Sequence, residues 1–290
     1  MSNPSPLRYP GGKNKTYKYI RQLVMINNCT TYIEPFAGGS AVALNLLLDG
    51  VVKKIIINDF DKSIYALWYS IVNHPNQLIG LINDTEITIE EWYKQKELQK
   101  NKENVPLLEL GFSTLFLNRT NRSGIIKGGA IGGIKQNGNY SIDCRFPKES
   151  IINKIRAISN LSSKIEVYNL DALVFINNVI KKTRNSFTFF DPPYFKKGPS
   201  LYTNFYKNED HKELSEIIQK ELRNRKWIVT YDNAIEIKNM YHKLNYIEYY
   251  LNYTAGSSKK GIEYMFYSNN LQIDDPSLYL KLYNPLVTIS

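Results

Sequence analysis

The run Phe187–Tyr194, FTFFDPPY, brings a carboxylate, two prolines and a phenol directly to the end of an apolar, aromatic stretch. Proline fixes φ near about −65° and biases the residue before it towards extended backbone, so the Asp191 carboxylate and the Asp191 and Pro192 carbonyls are held rigidly. Hydrogen-bond acceptors then converge on one small volume. That arrangement suits an exocyclic amino group on a nucleobase, which is a poor nucleophile because its lone pair is delocalised into the ring. Asp191 and the Pro192 carbonyl would accept both N–H groups, favour a pyramidal nitrogen and stabilise the positive charge that grows as it attacks a sulfonium methyl. Tyr194 would stack on a base flipped out of a duplex and offset part of the unstacking cost. Neither Cys29 nor Cys144 follows a proline, so the nucleophile of a C5-cytosine methyltransferase is not expected. The plainer alternative for DPPY is a strand stopped by prolines beside a solvated aspartate.

Two other segments carry chemistry. In Glu34-Pro35-Phe36-Ala37-Gly38-Gly39-Ser40, Gly38 and Gly39 stand between a strand and a helix, where backbone amides can approach a ligand without hindrance from a Cβ. A structural tight turn explains a glycine pair equally well. Asp59, however, ends the next strand 20 residues beyond Gly39, the spacing at which an acid accepts from ribose hydroxyls, and this favours nucleoside binding. The segment does not meet the G-x-G-x-x-G pattern, which disfavours a nicotinamide or flavin enzyme. At the amino end, Arg8-Tyr9-Pro10-Gly11-Gly12-Lys13 offers an aromatic face, a glycine pair and a cation. It is not a Walker A loop, since the first glycine of that pattern is missing and Asn14 follows the lysine. Lys13 would contact a cofactor carboxylate or orient a catalytic one; otherwise the segment is a basic turn.

These residues need a frame. Thr31–Glu34 and Lys54–Asn58 read as strands around a helical Ser40–Leu48, a β-α-β unit. Strand patterns return at Lys164–Asn169, Ser186–Phe190 and Trp227–Thr230, with helices expected at Lys148–Leu161 and Asp210–Arg223. The alternation predicts an α/β fold with a mostly parallel, doubly wound sheet. Tyr246–Tyr253 and Ile262–Ser268, around the loop Thr254–Gly261, predict an antiparallel hairpin closing it. Between residues 73 and 146 the alternation is lost, giving way to a charged helix around Ile89–Lys102 and a glycine-rich Arg119–Asn139 read as a β-ribbon. An insertion in a domain made of residues 1–72 and 147–290 is the simplest account.

The chain of 290 residues is long enough for a sizeable core, and 37 Lys and Arg against 27 Asp and Glu give a formal charge of +10. Dispersed positive charge favours a polyanionic partner, nucleic acid first, although basic proteins that never touch DNA share it. The 22 tyrosines offer stacking surfaces for bases, but most tyrosines in a globular chain are packing residues. No stretch approaches the roughly 20 apolar residues of a membrane span and no secretory leader is evident, so a cytoplasmic location without membrane contact is expected. Two cysteines and three scattered histidines suggest neither a disulfide framework nor a metal site.

Taken together and in this order, RYPGGK, EPFAGGS, INDFD and FDPPY resemble the GATC-type DNA adenine methylases and their restriction-modification relatives, over nearly the whole chain. The resemblance implies a seven-stranded Rossmann-like methyltransferase sheet, a recognition domain inserted before the DPPY strand, S-adenosylmethionine as cofactor and double-stranded DNA as substrate. It implies cofactor contacts from Tyr9, Lys13, Phe36, Gly38, Gly39, Asp59, Asp171 and Asp191, with Asp191, Pro192 and Tyr194 catalytic. The family often has Trp at Tyr9 and Ala at Pro10. The stretch Asn118–Gly124 is similar to an Asn-Arg segment that contacts DNA, making Arg119, Arg122, Lys127 and Lys135 candidates for phosphate or guanine contacts; solvated turn charges are the alternative. A separately encoded restriction endonuclease is an implied partner. Methylation of cytosine N4, an RNA substrate, or a non-catalytic DNA-binding scaffold are the competing functions.

Overall fold

A computed structural model of the chain describes residues 3–8, 13–196, 206–253 and 259–283. Its sheet is built from β1 (Thr31–Glu34), β2 (Lys54–Asn58), β3 (Ile165–Tyr168), β4 (Ser186–Phe190), β5 (Lys226–Asp232), β6 (Tyr246–Tyr253) and β7 (Lys259–Tyr267). The seven strands lie in the order β3-β2-β1-β4-β5-β7-β6. β1 pairs parallel with both β2 and β4, and β4 parallel with β5, whereas β7 runs antiparallel between β5 and β6. The result is an α/β mixed sheet with parallel strands at its centre. The sequences TYIE, KIIIN and SFTFF are nearly continuous apolar runs because both faces of these central strands are covered; β1 and β4 are buried at every position.

Strand order reverses between β1 and β4. In doubly wound sheets the crevice outside the carboxyl ends of two such strands is where ligands bind, since the chain leaves them in opposite directions. Here those ends carry Glu34 and Asp191. Helix α2 (Ala41–Leu48), AVALNLLL, follows β1 and is apolar nearly all round, as a helix packed into a core must be. The turn leading into it takes two left-handed residues, Gly38 at φ 45° and Ser40 at φ 44°.

The chain divides into two compact units, one of Met1–Pro10 and Asp59–Asn169, the other of Gly11–Asn58 and Leu170–Ser290. The first is larger than the expected 73–146 insertion. It also takes in α3 (Lys62–Asn73) and α7 (Lys148–Ser159), whose apolar faces are buried within it along with α4 (Pro75–Asp84) and α6 (Leu107–Thr120). The charged helix α5 (Ile89–Lys100) forms as expected, its first turn capped by the Thr88 hydroxyl, which accepts from the Glu91 amide at 3.1 Å.

The glycine-rich segment is not a ribbon. Among the described residues its only strand-like pairing is one antiparallel bridge, Asn121 to Ala130. Gly124, Gly132 and Gly133 sit at φ 76–79°, and Ser123 and Gln136 are also left-handed, which bends the chain too often for a ladder. Side-chain amides take the carbonyls that a partner strand would have taken. Asn121 Nδ2 donates to Ile125 O at 2.9 Å and Ile126 O at 2.8 Å, and Gln136 Nε2 to Ile131 O at 2.8 Å and Gly133 O at 2.6 Å.

Close approach of α3 and α6 rests on Gly111, where a Cβ would lie 2.5 Å from Ser70 Oγ and 2.6 Å from the Ala66 carbonyl oxygen. In an open helix, replacing glycine by alanine gains up to about 1 kcal/mol. Here the backbone clash outweighs that gain. Gly111→Ala is expected to lower stability by roughly 1–3 kcal/mol in urea denaturation; a variant as stable as the parent would show that the two helices part at no cost.

Candidate active site at the carboxyl edge of the sheet

Asp191 leaves β4 beside Thr230 of β5, because the parallel register sets Phe190 against Val229. Its Oδ1 accepts from Thr230 Oγ1 at 2.8 Å and from the Lys13 ammonium at 2.9 Å. Its Oδ2 accepts no hydrogen bond from any described residue, and the side chain keeps 26% of its surface exposed. Pro192 is buried, and its carbonyl likewise accepts nothing among the described residues. Burial pushes the Asp191 carboxyl above its ordinary pKa, Lys13 pulls it down, and Glu263 pushes it up.

Lys13 is itself almost wholly buried. Its Nζ also reaches Tyr194 Oη at 2.9 Å and Glu263 Oε1 at 3.2 Å, and lies 4.9 Å from the Tyr194 ring centroid. Tyr194 in turn donates to Glu263 Oε1 at 2.5 Å. The antiparallel hairpin sets Tyr249 of β6 opposite Glu263 of β7, and the Tyr249 hydroxyl donates to Glu263 Oε2 at 2.6 Å. One cation thus serves two carboxylates. The Tyr194 ring is only 2% exposed, so it lies within this network rather than as an open stacking face. Just beyond it, the buried Asp232 carboxylate at the end of β5 accepts from the Phe195 and Lys196 amides at 2.8 and 3.0 Å, fixing the chain as it leaves DPPY.

On the other side of the crevice, Asn58 ties three loops together. Its Nδ2 donates to Pro35 O and Leu170 O, each at 3.0 Å, its Oδ1 accepts from Leu170 N at 2.9 Å, and its own carbonyl accepts from Ala37 N at 2.8 Å. This fixes the Phe36–Gly39 turn relative to Asp171, an exposed N-cap accepting from Leu173 N and Val174 N at 2.9 and 3.3 Å. Phe36 is half-buried and edge-on to Tyr206 at 5.9 Å. Glu34 is buried beneath the turn with Tyr32 Oη donating to it at 3.1 Å, and burial pushes its carboxyl up to about 8 against the pull of Ser40 and Tyr32.

Asp59 belongs to the first unit. It is half-buried, with its Oδ1 accepting from Asp61 N at 2.9 Å and its amide donating to Tyr168 O at 3.2 Å. Tyr9 lies outside the described residues. Arg122, Lys127 and Lys135 are exposed. Arg119 is not a solvated turn charge: it stands in the last turn of α6, 9% exposed, with a buried Nε that has no partner. Burial, and then Arg8, lower its guanidinium to about 10. Arg8 Nη1 is also buried and unpartnered, while Asn118 holds the Arg8 backbone at both N and O at 2.8 Å.

Sequence reasoning missed Thr230, Glu263, Asp232, Asn58 and Glu34. Only Glu263 left a usable signal: an acid in the otherwise apolar and aromatic run IEYMFY has to be paired if the strand is buried.

The folded protein holds the Glu34 proton up to about pH 8, whereas the ordinary value is 4.5. Between those values the unfolded chain has released a proton that the folded one keeps, so stability falls as pH rises, by at most about 1.4 kcal/mol per unit. Glu34→Gln is expected to flatten this slope in urea denaturation between pH 5 and pH 8; parallel curves for variant and parent would remove Glu34 from the account.

The chain is similar to known methyltransferases. The chain is 25% identical over 225 residues to the type II methyltransferase M.MjaIII of Methanocaldococcus jannaschii, covering 70% of this chain and 75% of that protein. It is 23% identical over 225 residues to the type II methyltransferase M1.LlaDCHI of Lactococcus lactis subsp. cremoris, covering 74% and 73% respectively. Among solved structures, the rRNA methyltransferase aviRa of Streptomyces viridochromogenes aligns over 88% of this chain and 84% of its own, with a TM-score of 0.35 and 10% identity. The profile of the D12 class N6 adenine-specific DNA methyltransferases matches residues 9–255, which take in Lys13, Asp191, Tyr194 and Thr230 but not β7 with Glu263, and the chain belongs to that family, whose members methylate adenine in DNA.

Proposed function

We propose that the protein transfers a methyl group from S-adenosylmethionine directly to N6 of an adenine flipped out of duplex DNA, with Asp191 and the Pro192 carbonyl as the acceptors of the amino group. The observation that carries this reading is the pair of open acceptors on adjacent residues. Lys13 and Thr230 occupy Asp191 Oδ1, and no other described residue donates to Oδ2, which is assigned to an external N–H. A rigidly held carboxylate and carbonyl bond the amine, draw it towards pyramidal geometry and stabilise the charge it acquires. S-adenosylmethionine supplies an electrophilic methyl group, so no covalent enzyme intermediate is required.

Residues suited to the cofactor are Lys13, Phe36, Gly38, Gly39, Asp59, Asp171 and Asp191, together with Tyr9. The left-handed turn at Gly38 supports a close backbone approach for the methionine portion. Asp59 is assigned to the ribose and Asp171 to the neighbourhood of the adenine. Tyr194, with its ring buried, is assigned to holding the site together through its hydroxyl, which accepts from Lys13 and donates to Glu263. Residues 73–146 are assigned to target recognition. Within the first compact unit Arg119, Arg8, Arg145 and Lys154 are neighbouring cations, and the unpartnered donors of the first two suit a phosphate oxygen or a guanine edge. The exposed Arg122, Lys127 and Lys135 complete the DNA-facing set. A cognate endonuclease acting at the same DNA sequence fits the type II methyltransferases that the chain resembles.

Mass spectrometry of nucleosides from unmethylated DNA treated with enzyme and S-adenosylmethionine should show N6-methyladenine alone; N4-methylcytosine alone would refute the choice of base. Asp191→Asn should fold normally and lower turnover at least about a hundredfold, and near-normal turnover would refute its role. Asp59→Ala is expected to weaken binding of S-adenosylmethionine in calorimetry more than it lowers turnover at saturation, because ribose contacts are alike in ground and transition states. An unchanged affinity would reassign that residue.

A further inference from the structure

The buried network behind Asp191 contains one more carboxylate than a lysine anchor needs. Lys13 would be sufficiently paired by Asp191, yet Glu263, with no exposed surface, is placed against the same ammonium at 3.2 Å. Its two oxygens are then capped by the phenols of Tyr194 and Tyr249. Burying a second acid beside the first is costly unless something compensates it. Two carboxylates sharing one ammonium carry a net negative charge.

We propose that Glu263 is a positioning residue for methyl transfer: it locks Lys13 and Tyr194 in place and leaves the Lys13–Asp191–Glu263 cluster one negative charge in excess, to be neutralised by the positive charge that develops on the target amine. The inference rests on Asp191 being the acceptor of that amine. With Lys13 alone, Asp191 would be a neutralised ion pair and a weak acceptor. Glu263 draws on the same ammonium and restores the acceptor strength of Asp191, at a distance where a low-dielectric interior transmits charge well. Tyr194 Oη, bound between Lys13 and Glu263, cannot rotate to compete for Asp191 Oδ2.

The ionisable groups facing Asp191 are Lys13 from the amino-terminal turn, Glu34 and Tyr32 from β1, Tyr231 from β5 and Glu263 from β7, with Tyr194 and Tyr249 against Glu263. Among them Lys13 and Glu263 push the Asp191 carboxyl in opposite directions. Their removal should therefore move the acid limb of the pH–rate profile in opposite directions.

The test uses full-length enzyme, unmethylated plasmid DNA and radiolabelled S-adenosylmethionine in single turnover, with cofactor affinity measured separately by calorimetry. Glu263→Gln keeps the shape of the side chain and removes its charge. It is expected to slow methyl transfer on the order of ten- to a hundredfold, to move the acid limb to lower pH, and to leave cofactor affinity within about twofold. Lys13→Gln should move the same limb to higher pH. If Glu263→Gln does not fold, Tyr249→Phe takes its place: it keeps the Glu263 charge but removes a donor that offsets it, so the acid limb should move to higher pH. An unshifted limb in either variant, or a limb shifted upward in Glu263→Gln, would reduce Glu263 to a structural anchor and overturn the proposal. Normal turnover in Asp191→Asn would instead overturn the reading beneath it, whatever the Glu263 variants do.

Discussion

A single ammonium group organises the chemistry of this molecule. Lys13 Nζ contacts Asp191, Tyr194 and Glu263, so the amino-terminal turn, the end of β4 and the middle of β7 meet at one point. A buried lysine is tolerated only where its charge is matched, and buried carboxylates only where donors surround them. Each of the three therefore makes the burial of the others possible. Removing the cation would leave two acids facing one another across a dry gap. Hence the DPPY segment works only in the context of strands far from it in sequence.

The sheet supplies the reason these partners meet. Parallel strands β1, β4 and β5 send their carboxyl ends to one edge, and reversal of strand order beside β1 and β4 opens space there. The antiparallel β7 does what a further parallel strand would not: it brings Glu263 in from a hairpin, level with Asp232, with Tyr249 opposite on β6. Local devices then refine positions. Asp232 holds the chain just past Tyr194, and Asn58 joins the loops that carry Phe36, Gly38 and Asp171.

Much of this frame was legible in the sequence because buried parallel strands write themselves as short apolar runs. Thr31–Glu34, Lys54–Asn58 and Ser186–Phe190 coincide with observed strands, and the hairpin was visible from its alternating aromatics. DPPY was conspicuous because proline pairs directly after an acid serve few structural ends. The partners of Asp191 were not legible: Thr230 looks like any strand threonine, and the meaning of Glu263 depends on a pairing register across β5, β6 and β7. The alternative of a solvated turn charge fails for Arg119 because α6 runs to Thr120, one residue past it. The expected ribbon failed on a similar point, since glycine pairs mark turns in either architecture and only the left-handed backbone separates them.

The self-bonded loop that replaces the ribbon has a bearing on how such a protein changes. Asn121 and Gln136 secure its backbone through their side-chain amides, while the side chains of Arg122, Lys127 and Lys135 are exposed and make no hydrogen bond to it among the described residues. Framework and outward charge are thus encoded by different residues in the same stretch. Replacing an exposed side chain of this kind removes none of the bonds that set the path of the chain, so a new surface pattern arises without the fold having to be found again.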